Sequence, residues 1–385
     1  MKIIYCINAV SNSGGMERIL MQKANYLADV VGYEIVIVTT EQGGLKPFFQ
    51  FSPKIRFIDL DVNYGDRADK PERNIIWKVI WKNLHKPIHK KRMKDFLMFE
   101  RPDIVLTLGN NDIGFLPSIQ DGSYKIAESH FCYLYKQIAA KNRIVKLVQK
   151  YRLRLRKKKL SKFKKFVVLT NEDKKAWGNM PNITVIPNFI PSVPLRNSNC
   201  EAKRVIAVGR AEYQKGFDLL IEAWQIVAEN FPDWHLDIFG NGDKTELEKM
   251  IKDKRLDDFI RLHAATKDIA TEYVNSSLFV LSSRYEGLPM VLLEAMSYGL
   301  PIVSFECPCG PKDIVKDDFG TLVPNGDIVG LASSLMEWMS NENRRIKGGK
   351  TARKFALCYT QEKVMKEWVS LLRNLTDNEG DSFYN

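Results

Sequence analysis

The 385-residue chain lacks any apolar run approaching the ~18 residues that a membrane-spanning helix needs. Its opening "MKIIYCI" is too short for the core of a secretion signal and runs into polar "NAVSNSGG" without a cleavage pattern, so it reads as a first strand. Cysteine is sparse. The six (Cys6, Cys132, Cys200, Cys307, Cys309 and Cys358) are scattered, which argues against a disulfide framework and fits a reduced cytoplasmic protein. Only "CPC" brings two together, and a single C-x-C without further Cys or His is poor evidence for zinc, so no metal site is expected. Short-period repeats and low-complexity tracts are also missing. Acid is absent from Lys136 to Lys165, "KQIAAKNRIVKLVQKYRLRLRKKKLSKFKK". That gap explains most of the charge imbalance: residues 1–190 carry 34 basic and 17 acidic side chains, while the whole chain is only +12.

The chain does have length, and a composition of 45% hydrophobic and 27% charged residues, as in soluble globular proteins. At 385 residues it is too long for one ordinary core, so two domains are expected. Strand-like runs ("KIIYCI", "YEIVIVTT", "DIVLTL", "FVVLT", "RVIAVG", "HLDIFG", "LFVLSS") alternate with helical ones almost throughout. Such alternation implies parallel sheets flanked by helices, an α/β architecture of two Rossmann-like domains facing across a cleft. Proline-rich "PNFIPSVPLRNSNC", Pro187 to Cys200, reads as a linker. The expected division is 1–188 and 189–360, with a last helix at about 361–376 packing back on the first domain.

Chemistry-bearing residues gather at predicted strand ends, the edge of an open parallel sheet where ligands bind. "SNSGGMER" puts Gly14 and Gly15 before the first helix, where glycines let backbone amides approach an anion. In "VGRAEYQKGFD", Arg210 follows Gly209 at the end of a strand and Lys215 precedes the next helix. Two cations aimed at one edge suit a diphosphate, although a pair of solvated charges is the plainer reading. "IFGNGDKTELEK" gives two glycines of a dinucleotide fingerprint, but Thr245 stands where the third belongs, which disfavours a nicotinamide enzyme. In "SSRYEGLPMVLLEAMSYGLPIV", Glu286 lies in the loop after a strand. Glu294 lies on the short apolar helix that follows, between Pro289 and the capping Gly299. A lone carboxylate on such a helix needs a partner. His130, in "KIAESHFCY", ends a predicted strand and should face the cleft, whereas His85 and His89, separated by Pro87, read as basic surface.

In this order and spacing, "GR" with "KG" five residues on, "IFGNGD", and "E-G-L-P" inside an E-x7-E frame resemble glycosyltransferase family 4 of the GT-B fold. "GGMER" and "VIPNFI" extend the similarity over nearly the whole chain. The resemblance implies a retaining hexosyltransferase with no cofactor and a nucleotide sugar, UDP-linked by preference, as substrate. It implies that Glu286 lies by the donor sugar, that Glu294 takes hydrogen bonds from the ribose, and that Arg210 and Lys215 hold the diphosphate. Transfer is then metal-independent, since the two cations do the work of a metal and no carboxylate cluster for magnesium is evident. The donor set is completed by Gly14, Gly15, Gly209, Gly240, Asn241, Thr266, Gly287, Leu288 and Pro289, and His130, near the donor sugar or the acceptor, is a catalytic candidate together with Arg210, Lys215 and Glu286. No nucleophile is assigned. The cysteines of "FECPCGPKDIV" depart from the small Gly-rich loop usual there.

The basic tract admits three readings. A nucleic-acid surface would want recurring aromatics, which are missing. A basic amphipathic helix on anionic lipid fits Ile144, Val145, Leu147, Val148, Tyr151 and Leu155 at near-helical spacing between cations. A solvated helix packing its apolar stripe on its own sheet is the third. The lipid reading is preferred, with the protein peripheral on the inner face of the cell membrane and acting on a glycan or lipid-linked acceptor in surface polysaccharide synthesis. A nucleotide-sugar epimerase, or a GT-B protein that only binds its nucleotide sugar, is the alternative.

Overall fold

The computed structural model describes residues 1–64, 75–108, 111–133 and 142–377. Seven short strands form the amino-terminal sheet: β1 (Lys2–Ile7), β2 (Glu34–Thr39), β3 (Arg56–Asp59), β4 (Ile104–Thr107), β5 (Tyr124–Glu128), β6 (Lys165–Val168) and β7 (Ile183–Val185). Their order is β3-β2-β1-β4-β5-β6-β7, with every pairing parallel. Helices cover both faces, which is why β1, β2 and β4 are apolar almost continuously rather than alternating. The second sheet contains β8 (Arg204–Val208), β9 (His235–Phe239), β10 (Ile260–His263), β11 (Leu278–Leu281), β12 (Ile302–Phe305) and β13 (Gly320–Val323). Its order is β10-β9-β8-β11-β12-β13, again all parallel. Both sheets reverse direction of growth beside their first strand, between β1 and β4 and between β8 and β11. At such a switch point, loops leave the strand ends in opposite directions and open a crevice. Strands β3, "RFID", and β13, "GTLV", have too little apolar length to stand out in the sequence.

The chain passes between domains twice, and the two passages are stitched together. Ile190 donates its N–H to the Tyr359 carbonyl at 2.9 Å, and Gln361 donates to the Ile190 carbonyl at 2.8 Å. Beyond this point the helix Gln361–Asp377 sets Val364, Met365, Trp368 and Leu372 into the amino-terminal core beside Leu20, Ala24 and Leu27. The stretch Pro187 to Cys200 is not a loose linker: Phe189, Ile190, Ser198 and Cys200 are buried, because Phe189 joins the amino-terminal core and Ile190 finds carboxyl-domain partners.

The helix Ile75–Glu100 runs through Pro87, against the sequence reading of that region. Proline removes one helical hydrogen bond at a cost of ~3 kcal/mol. Burial of His89, Met93 and Leu97 along the same face offsets it. His89 is therefore core, not basic surface. Its Nδ1 meets the Tyr64 hydroxyl at 2.9 Å, and burial pushes its pKa down to about 4.

Candidate active site

The carboxyl-terminal half of the site grows from the β8–β11 switch point. After β8 the chain runs through Gly209 and Arg210 into a single turn, Tyr213–Lys215, and then Gly216 opens the helix Phe217–Asn230. Gly216 has φ +62°, and a Cβ there would fall 2.1 Å from the Ser282 carbonyl oxygen at the end of β11. Only glycine lets these two strand ends meet so closely. As a result Lys215 Nζ donates to Glu286 Oε1 at 2.7 Å, and both side chains are largely buried. Ser283 Oγ donates to the same oxygen at 2.6 Å, and the Glu286 N–H is held by the Pro308 carbonyl at 3.0 Å. Gln214 Nε2 holds the Tyr285 carbonyl at 3.0 Å. Arg210, by contrast, is exposed, with Glu212 at 3.0 Å as its ion-pair partner.

The amino-terminal half grows from β1, β5 and the helix Gly15–Asp29. Gly14 and Gly15 stand at that helix's start. Glu128 ends β5 in full burial and pairs with Lys23 Nζ at 2.5 Å. His130 Nε2 lies 3.1 Å from the other oxygen of Glu128, off the line of a hydrogen bond. Burial alone would raise the Glu128 pKa, but the charges of Lys23 and His130 prevail and hold it down at about 2. Lys23 in turn sits 3.7 Å from the centroid of the Trp368 ring on the returning helix. Neither Lys23 nor Glu128 was anticipated. The available signal was a lone cation on the apolar Leu20–Ala24–Leu27 face, which demands a buried partner.

Between the halves lies a cavity of about 810 Å³. It is lined by Gly14, Gly15 and His130 from one side and by Arg210, Lys215, Glu286, Gly287 and Leu288 from the other. Gly287 marks the contact between domains: a Cβ there would fall 2.3 Å from the His130 carbonyl oxygen. Asn12, Glu17 and Asn188 also line the space, unforeseen from sequence. The remaining candidates do not line it. Gly209 and Gly240 pack beneath, with a Cβ on Gly240 falling 1.7 Å from the Gly209 carbonyl oxygen. Asn241 and Thr266 serve local turns, receiving the Ala265 and Asp268 amides. Pro289 is buried against Gly310.

Glu294 does have partners. Arg18 Nη1, from the amino-terminal helix, lies 3.4 Å from its Oε1, and the Tyr273 hydroxyl lies 3.4 Å from its Oε2. Both contacts are long, near the limit of a hydrogen bond. Burial raises the pKa of Glu294, opposed by Arg18 and Tyr273. Among the described residues, the cluster of candidate metal ligands is Cys132, Asp173 and Cys309, and no residue of the Lys215–Glu286 group belongs to it.

Two parallel-sheet domains with their strand ends facing across such a cavity define the GT-B fold. Residues 196–355 match the family model described as Glycosyl transferases group 1. An uncharacterized glycosyltransferase of Haemophilus influenzae is 28% identical over 96% of this chain and 99% of its own. The amylovoran biosynthesis glycosyltransferase AmsD of Erwinia amylovora is 26% identical over the same shares. Among solved structures, a mutant of S. aureus TarM in complex with fondaparinux, α-GlcNAc-glycerol and UDP superposes with a TM-score of 0.73 at 17% identity, over 96% of this chain and 99% of that one. The protein is a glycosyltransferase of GT-B fold.

Proposed function

We propose that this enzyme is a retaining family 4 transferase that moves a sugar from a UDP-sugar to a lipid-linked glycan acceptor, without a metal at the phosphates, in surface polysaccharide synthesis. One observation carries the reading. Arg210 and Lys215, from a single strand-end loop, line the same cavity as Glu286, opposite His130. A diphosphate entering there meets a guanidinium fork and an ammonium group, and it competes with Glu286 for Lys215. Release of Glu286 from Lys215 frees that carboxylate for the sugar hydroxyls, while the two cations offset the charge left on the departing nucleotide. Glu294, on the helix Met290–Ser297, is the ribose acceptor, and Arg18 gives way or shares it when the nucleotide binds.

The names of the relatives favour a polymer-synthesis role: AmsD acts in amylovoran biosynthesis, and a relative from Staphylococcus aureus is a poly(ribitol-phosphate) α-N-acetylglucosaminyltransferase. A peripheral position on the inner membrane face is supported by the helix Arg143–Leu160. There Val145, Leu147, Val148, Tyr151 and Leu155 are exposed among cations instead of packing on the sheet. Residues 136–141 of the basic tract, and the side chain of Ile144, lie outside the described residues. No described helix is long and apolar enough to cross a membrane.

A thermal-shift panel of nucleotide sugars tests the donor. The matching one at 100 times its dissociation constant stabilises by ~2.7 kcal/mol. Incubation of that donor with acceptor extract then yields free UDP and a lengthened glycan. An altered sugar nucleotide in its place would show an epimerase.

A further inference from the structure

Behind the cavity wall three buried groups converge from three segments. Cys132 follows His130 after β5, Asp173 lies in the helix Asn171–Trp177, and Cys309 lies in the loop after β12 of the other domain. Each is at most 3% exposed, and their ligand atoms all lie within 4.8 Å of one another. Cys309 Sγ is 3.6 Å from Asp173 Oδ1. The carboxylate is aimed by two donors, the Tyr133 N–H on Oδ1 at 2.6 Å and Trp177 Nε1–H on Oδ2 at 3.1 Å. Cys309 is itself held with φ +66°, in a conformation that side chains other than glycine rarely adopt, and its N–H donates to Glu172 Oε2 at 3.0 Å. A strained backbone secured by two acids of the opposite domain presents its thiol to a second thiol and a fixed carboxylate.

We infer that Cys132, Asp173 and Cys309 form a site for one soft divalent cation of the zinc type, which fastens the two domains together beside the active site. In a tetrahedral zinc site, sulfur at ~2.3 Å and oxygen at ~2.1 Å from the ion stand ~3.6 Å apart, the separation already present between Cys309 and Asp173. Two sulfurs would stand ~3.8 Å apart, so the third ligand needs a shift of ~1 Å at most. Thiolate ligands select such an ion over magnesium or calcium, and the oriented carboxylate is the kind of support that metal ligands receive. The cavity that Cys132 lines supplies the entry path and a water for the fourth position. The contact with Cys132, burial and the Asp173 charge all push the Cys309 thiol up. Binding converts two thiols and the aquo dication into a dithiolate complex and two protons. A disulfide is the weaker assignment, because the bond needs only the two sulfurs at ~2.05 Å and gives the aimed carboxylate no task. The ion would also steady the donor side, since Pro308, next to Cys309, holds the Glu286 amide.

Cobalt(II) titration of the full-length reduced protein tests the site. A thiolate-to-cobalt charge-transfer band with four-coordinate visible absorption is expected, saturating at about one equivalent with about two protons released, and zinc should remove it. Cys132→Ser and Cys309→Ser should each abolish the charge-transfer band or halve it. Asp173→Asn should weaken affinity by about tenfold or more, while Cys307→Ser and Cys358→Ser leave the spectrum intact. Should the serine variants fail to fold, alkylation of wild type decides: zinc must protect Cys132 and Cys309 from labelling. Absence of the band, its survival at full intensity in either serine variant, labelling that ignores zinc, or a Cys132–Cys309 disulfide in place of metal uptake would each overturn the assignment.

Discussion

Lys215 and Glu286 are 71 positions apart in the chain and 2.7 Å apart in the fold, so each substitution at this pair also alters its partner. Lys215→Ala leaves Glu286 with the Ser283 hydroxyl, and Arg210→Ala removes an exposed fork whose ion-pair partner is Glu212. Each should lower turnover by about 10²–10³ with folding little changed, the size expected when a donor to developing charge is lost. Steady-state rates within tenfold of wild type for both variants would remove the diphosphate role. Glu128 has a different signature. Its carboxyl is held at about 2 against an ordinary 4.5. A depressed carboxyl favours the fold above its unfolded pKa, so this contribution is complete above pH 4.5 and is lost as pH falls from there toward 2. Glu128→Gln should abolish that acid-side loss in pH-dependent denaturation curves. It should also destabilise the protein by about 3–5 kcal/mol at pH 7, because Lys23, whose pKa burial already lowers, would lose its ion-pair partner.

The helix Arg143–Leu160 packs lightly: five large apolar side chains are exposed, while Leu160 enters the core and Leu153 packs against it. On anionic vesicles each cation near the surface adds ~1 kcal/mol. Neutralising Arg152, Arg154, Lys158 and Lys159, all exposed, should therefore release the protein from acidic vesicles in co-sedimentation. Wild-type binding should weaken as salt rises, since exposed charges are screened over ~10 Å at 0.1 M. Donor hydrolysis should persist, because the donor loops belong to the other domain. Binding indifferent to lipid charge and to these substitutions would restore the solvated-helix reading. The helix Ile75–Glu100 teaches the opposite lesson. His89 looked like surface and Pro87 like a helix breaker, and the buried face decided otherwise, since local propensity is worth little beside a buried stripe.

For the molecule as a whole, the domains touch backbone to backbone at Gly287 and the His130 carbonyl. Gly287→Ala places a methyl group where only hydrogen fits, and it should hold the cleft about 1 Å too wide. Misplacement on that scale costs about 100-fold in turnover. Small-angle scattering should show slight expansion while the thermal midpoint of each domain stays put. Wild-type turnover in this variant would show that the contact is not made during catalysis.

The sequence by itself determined the parallel two-sheet architecture, the strand ends at which chemistry collects, and the order of "GGMER", "GR…KG" and the E-x7-E frame. Those features are local: periodicity, glycine and proline placement, and spacing within one loop. Only tertiary structure decided that Lys215 meets Glu286, that Arg18 reaches Glu294 across 276 residues, and that Cys132, Asp173 and Cys309 gather behind the cavity. The first pair depends on which strands become neighbours within one sheet, and the other two groupings on how two separately patterned domains dock. Docking is fixed by packed faces and by the buried charges they must satisfy, neither of which leaves a period in the chain.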